Sequence, residues 1–258
     1  MSDRSTSALP VIDRIIAEAA AAPGAAEATT LDVRVGPYWT VVHSSTRAGL
    51  ASTMGHADEH RAAPIGQAGS LHRLPPVVLA ALLRSTSPPE AAVGLAAVNA
   101  LLDPVAAGAV HGNARELLCE RAEGRLLAVI GHFPFTERLR SVCRELWVFE
   151  RAGRLRPGDL EESSMDELLP HAEVVAVTGS AVSNHTLEAI VGRMRRDAFA
   201  VMLGPSTPLA RCLLDLGFDV LCGTVVEDAG AVVRAVSEGA VTDQIPGVRR
   251  VCLWRSQG

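Results

Sequence analysis

The sequence predicts an α/β protein in which a parallel-sheet domain over residues 116–258 follows a smaller α+β domain over residues 1–115. Three observations carry this. From about residue 116, apolar runs of strand length alternate with stretches of helical length, the rhythm of a parallel sheet joined by crossover helices. Residues 127–139, LAVIGHFPFTERL, run from an apolar strand through one glycine into a helix, where a nucleotide-binding fold places its phosphate loop. Finally, 258 residues with 48% hydrophobic and 21% charged side chains can fill two cores and are too apolar for disorder.

In chain order, residues 11–22 repeat apolar side chains at helical spacing and stop near Pro23-Gly24, giving a first helix. Residues 30–35 alternate, Gly36-Pro37 interrupts, and 38–43 resume extended character, which predicts a β-hairpin. Residues 44–70 read as loop with one further strand. Residues 75–84 and 88–102 are apolar helices opening on proline pairs, with Ser87 as a cap for the second. Strands follow at 126–130, 145–149, 174–177, 200–203, 220–221 and near 248–253, separated by helices at about 135–143, 164–169, 184–195, 207–216 and 229–238. Ser164-Met-Asp-Glu167 has the form of a capping box, and Thr207 before Pro208 suits a helix start.

Composition narrows the partners. The formal charge is −5 with 24 basic residues spread along the chain, so no basic stripe exists to neutralise nucleic-acid phosphates. No apolar run reaches the roughly 18 residues of a membrane span. The N-terminus lacks the regions of a signal peptide, which makes a cytoplasmic protein the expectation. Five cysteines without a CxxC pair point to buried thiols rather than a disulfide frame. A homodimer is expected.

In an open parallel sheet, ligands bind beyond the carboxyl ends of the strands, where strand order reverses. The turns predicted there carry Gly131, His132 and Phe133; Glu150; Thr178, Gly179 and Ser180, with Asn184 soon after; and Gly204 and Ser206. Glu150 lies 19 residues beyond Gly131, close to the spacing at which an acidic side chain meets the ribose hydroxyls of an adenosine cofactor. The later glycines of GxGxxG are replaced by bulkier residues in GHFP, which favours an adenosine ligand without pyrophosphate, such as S-adenosylmethionine, over NAD. A glutamate at a strand end is also an ordinary solvated residue. His132 suits a base, a ligand or a loop histidine bonded to a carbonyl. His56 and His60 have i,i+4 metal-ligand spacing but sit in a charged loop, so no metal site is assigned. Tyr38 and Trp39 suit hairpin packing or, for Tyr38, a cation–π contact with a sulfonium. Asn99, polar within an apolar helix, needs a partner if buried, in the interior or on a ligand.

The runs GHFPFTERL, FER at 149–151 followed by RPGDLEES, AEVVAVTGSAVSNHTLE, LGPSTPL and GTVVEDAGAVVRAVSEG resemble the DUF364 family of heavy-metal chelation proteins, and GPYWTVVHSS and GLASTM resemble that family's preceding domain. The resemblance implies a Rossmann-like second domain, an enolase-N-terminal-like first domain and a pocket where the two meet. It extends to relatives of the azetidine-2-carboxylate synthase type, which cyclise S-adenosylmethionine without a metal and release methylthioadenosine. On that reading Tyr38, Asn99 and Asn184 are catalytic, with Asn99, His132, Ser180 and Asn184 candidates to accept the amine proton. Gly131, His132, Phe133, Glu150, Thr178, Gly179, Ser180, Gly204 and Ser206 would bind the small-molecule substrate. The alternatives are heavy-metal or metal-chelate binding without turnover, or another S-adenosylmethionine-dependent transferase or lyase.

Overall fold

A computed structural model describes residues 9–53 and 65–256. His56 and His60 lie outside the described residues. Helix α1 (Val11–Ala20) buries Val11, Ile15, Ile16 and Ala19, a stripe along one face. Strands β1 (Thr30–Val35), β2 (Trp39–Ser44) and β3 (Ala48–Ser52) form an antiparallel meander in the order β1-β2-β3. Helices α2 (Pro76–Ala80) and α3 (Pro88–Leu101) back it. From Ala91 to Leu101 every residue of α3 except Asn99 is buried, and its alanines and glycine let it approach β2, β3 and α2 closely. The proline pair opens α3 as predicted, but the Ser87 side chain makes no cap there.

The second sheet is formed by β4 (Val110–His111), β5 (Leu126–Ile130), β6 (Glu145–Glu150), β7 (Leu160–Glu161), β8 (Val174–Thr178), β9 (Phe199–Leu203), β10 (Val220–Val226) and β11 (Val248–Trp254). Its order is β4-β11-β10-β9-β8-β5-β6-β7. From β5 to β10 the strands are parallel and, numbered along the chain, lie 3-2-1-4-5-6, so the order reverses between β5 and β8. Strand β11 runs antiparallel to β10, and β4 pairs antiparallel with β11 although it precedes residue 116. Helices α4 (Ala114–Arg121), α5 (Thr136–Arg140), α6 (Met165–Leu168), α7 (Ser180–Ser183), α8 (Leu187–Val191), α9 (Arg211–Asp215) and α10 (Ala229–Ser237) make up the connections. The fold is thus a two-domain α/β arrangement, a small antiparallel sheet followed by a larger, mostly parallel one.

Several elements differ from expectation for local reasons. The helix expected at 184–195 is reduced to α8 at 187–191, set apart from α7, which ends at Ser183, by His185, which takes φ +59° and whose Nε2 meets Leu83 O at 2.8 Å. Helix α9 starts at Arg211 rather than at Thr207-Pro208, since a residue before proline is pushed toward extended backbone. Ser164 ends a 3₁₀ turn and makes no capping bond. Strands β4 and β7, of two residues each, escaped notice, being too short to show a period. Cys222 and Cys252 face each other across β10 and β11 and form a disulfide, against the expectation of thiols only. Their pairing is a product of register, invisible in cysteine spacing.

The two domains share a core. A single apolar cluster joins Ile15, Val42, Leu79 and Val98 of the first part to Val182, Leu187, Leu213 and Phe218 of the second. Helix α1 is tied across as well. Glu188 of α8 accepts from Val11 N at 2.6 Å, and Glu18 of α1 accepts from Arg211 N and Cys212 N at 2.6 and 2.9 Å, each carboxylate meeting the open amides of a helix start.

Candidate functional site

The carboxyl ends of the parallel strands open on a cavity of about 780 Å³, within the range of small-molecule sites. Trp39 and Ser52 of the first domain close one side of it. The loop after β5 reaches it through Gly131, whose φ of +93° suits glycine. Phe133 N is held by the Thr136 hydroxyl at 3.2 Å, and the Phe133 and Phe135 rings stack 5.6 Å apart, giving this turn an aromatic wall. At the switch point Gly179 packs so closely on the next loop that a Cβ there would lie 2.5 Å from Thr207 N.

Glu150 ends β6 inside the cavity, and its carboxylate is already engaged. Oε1 accepts from Arg151 N at 2.9 Å, and Oε2 lies 3.2 Å from His132 Nδ1. On the other side of the imidazole, Asp159 Oδ2 stands 2.8 Å from Nε2. That approach lacks hydrogen-bond alignment, so Nε2 is buried without an aligned partner among the described residues. His132 therefore sits between two carboxylates on opposite ring nitrogens. The loop histidine bonded to a carbonyl is not what the structure shows.

Of the predicted site residues, Gly131, His132, Phe133, Glu150, Thr178, Ser180, Asn184, Gly204 and Ser206 all line this cavity. Gly179 lies behind it. Ser206 does structural work besides: it is buried, its Oγ accepts from Ser52 N at 2.8 Å, and its carbonyl accepts from Asn99 Nδ2 at 3.3 Å. Two expectations fail. Asn99 is not in the lining: its Nδ2 also donates to Leu50 O at 2.8 Å, so it joins the meander to the 204–207 loop. Tyr38 is 53% exposed and outside the lining, while its neighbour Trp39 is buried and supplies the aromatic surface. Tyr38 lies in the bend before β2, outside the strand, and is left at the surface, while Trp39 opens the buried strand.

Sequence reasoning missed the charge of the wall. Arg115, Arg151, Arg154, Arg156 and Arg250 line the cavity against the acidic Glu150 and Asp243. Three of them fall within RAGRLR at 151–156, a run that could have been noticed; Arg250 reaches the site only through the pairing of β11.

A family model described as "Putative heavy-metal chelation", DUF364, matches residues 113–254, and a second with the same description, DUF4213, matches residues 18–102. An uncharacterized protein of Methanocaldococcus jannaschii is 27% identical over 121 residues, 45% of this chain and 47% of that protein. The chain thus spans about half the length of this curated relative. Crystal structures of DUF364-family proteins of unknown function are similar over 95% of this chain. That from Desulfitobacterium hafniense has a TM-score of 0.82 and 25% identity over 98% of its length, and that from Pyrococcus horikoshii 0.79 and 19% over 100%. With a family model covering more than half its residues, the chain belongs to the DUF364 family.

Proposed function

We propose that the interdomain cleft is the active site of an enzyme that takes S-adenosylmethionine as substrate and cyclises it to azetidine-2-carboxylate, releasing methylthioadenosine. The observation that carries this reading is the placement of Gly131 and Glu150 on adjacent strands beside the switch point, in one cavity, without the glycines a pyrophosphate needs. A carboxylate offers about four acceptor positions. The contacts of Glu150 with Arg151 N and His132 use two of them, leaving room for ribose hydroxyls.

In the reaction the α-amine loses a proton, its lone pair attacks the γ-carbon, and the carbon–sulfur pair leaves with methylthioadenosine. His132 is the imidazole in the lining, but each of its ring nitrogens faces a carboxylate, Glu150 or Asp159, so on this reading it fixes Glu150 and the amine proton, held by a group of ordinary pKa about 8, goes to solvent before the attack. Trp39, in place of Tyr38, gives the sulfonium an aromatic face, and with Phe133 and Phe135 it excludes water.

The family's description points to heavy metals, and the described residues do not fit a bare ion. Among the described residues no three histidine, cysteine or acidic side chains are grouped to hold one. Around His132 the two carboxylates stand on opposite sides of the ring and cannot converge.

The test is incubation of the protein with S-adenosylmethionine, with methylthioadenosine and azetidine-2-carboxylate followed by mass spectrometry. Equal amounts of both are expected. Glu150→Gln should raise KM or Kd roughly tenfold, the scale of one charge-assisted hydrogen bond. Absence of both turnover and binding would remove the reading.

A further inference from the structure

The arginines of the cleft do nothing for the fold that the structure reveals. Arg151, Arg154, Arg156 and Arg250 form no ion pair among the described residues, and Arg115 has only a 3.8 Å approach to Glu116. Elsewhere arginines pair readily, as Arg84 does with Asp13 and Arg249, next to Arg250, does with Glu227. Five like charges gathered around one cavity repel one another, a cost that a bound anion removes. The acidic side chains in the lining, Glu150 and Asp243, are outnumbered by the five arginines.

The loop that carries three of these arginines is folded by its own bonds. Arg154 N donates to Arg151 O at 2.8 Å, Arg156 N to Asp159 Oδ2 at 2.6 Å, and Asp159 N to Arg156 O at 3.0 Å. Asp159 also meets His132, so the loop is anchored to the switch-point turn rather than left to sample solvent. The backbone held this way presents exposed guanidinium groups at the mouth of the cleft, and guanidinium suits planar, bidentate recognition of carboxylate or phosphate oxygens.

We infer that the outer wall of the cleft, built from Arg115, Arg151, Arg154, Arg156 and Arg250, is a binding site for a multiply charged anion, a group bearing phosphates or several carboxylates. Such an anion would sit at the mouth of the cleft, against these side chains. The inference goes beyond the reaction proposed above and does not depend on it.

Calorimetric titration of the full chain with inorganic pyrophosphate and, separately, with citrate tests this at two salt concentrations. At least one probe is expected to bind and to weaken as salt rises. The double variant R154A/R156A should bind roughly tenfold or more weakly, while R138A/R140A, which removes the same charge from exposed helix α5 outside the cleft, should bind as the parent does. The preferred probe tells phosphate from carboxylate. The inference is overturned if neither probe binds, if R154A/R156A binds unchanged, or if both double variants lose equally, which would mark general charge attraction. A protein that binds pyrophosphate but yields no methylthioadenosine keeps this site and loses the cyclase.

Discussion

Asn99 donates to carbonyls in two domains, Leu50 O and Ser206 O, from the middle of an otherwise apolar helix end. Asn99→Ala leaves both acceptors unpaired, and a loss of about 1–3 kcal/mol is expected in urea unfolding. Asn99→Asp should cost more, because it turns a carboxylate toward two carbonyl oxygens. Gly179→Ala drives a methyl group into the 206–207 backbone, and about 1–3 kcal/mol of destabilisation is expected. That Asn99 needs a partner was legible from the helix pattern; the partner, in a loop 107 residues away, was not. The Gly131 to Glu150 spacing found both sides of the cavity because strand length and crossover length fix it. Tyr38 and Trp39 show the opposite limit: only the packing of the meander says that Trp39, which opens β2, is buried while Tyr38, in the bend before it, is not.

At the scale of elements, the parallel strands are started by carboxylates from the residue that precedes a neighbour. Glu173, just before β8, accepts from Leu126 N at the start of β5 at 2.9 Å and meets Arg144 at 2.7 Å; Asp219, before β10, accepts from Ala200 N in β9 at 2.8 Å. The Leu126 amide, and then the Arg144 charge, hold the Glu173 carboxyl below the usual glutamate range. A depressed pKa in the folded state gives stability that is present above the unfolded value near 4.3 and is lost as pH falls through the folded one. Glu173→Gln should therefore lower the urea midpoint at pH 7, with the gap from the parent closing below about pH 4. An equal gap at both pH values would show that the charge is not what matters. The strand–helix alternation itself was legible, since buried parallel strands are continuous apolar runs. Helix boundaries were not, where a turn such as Asn184-His185-Thr186 depends on a contact with Leu83.

At the scale of the molecule, the shared apolar cluster and the crossed caps of α1 make the two domains depend on each other. A fragment of residues 110–256 alone would expose the side chains that meet Ile15, Val42 and Val98. It is expected to lack dispersed amide signals in NMR spectra, whereas the full chain should show them. The same cluster bears on how a ligand gets in. With one continuous interior and the Ser52–Ser206 and Asn99–Ser206 bonds spanning the joint, the walls built from the described residues are expected to stay together when a ligand enters. Admission is then expected through the mouth, by rearrangement of the exposed side chains that rim it. Scattering profiles recorded with and without a saturating ligand should superimpose, and the radius of gyration should stay fixed while the cleft fills.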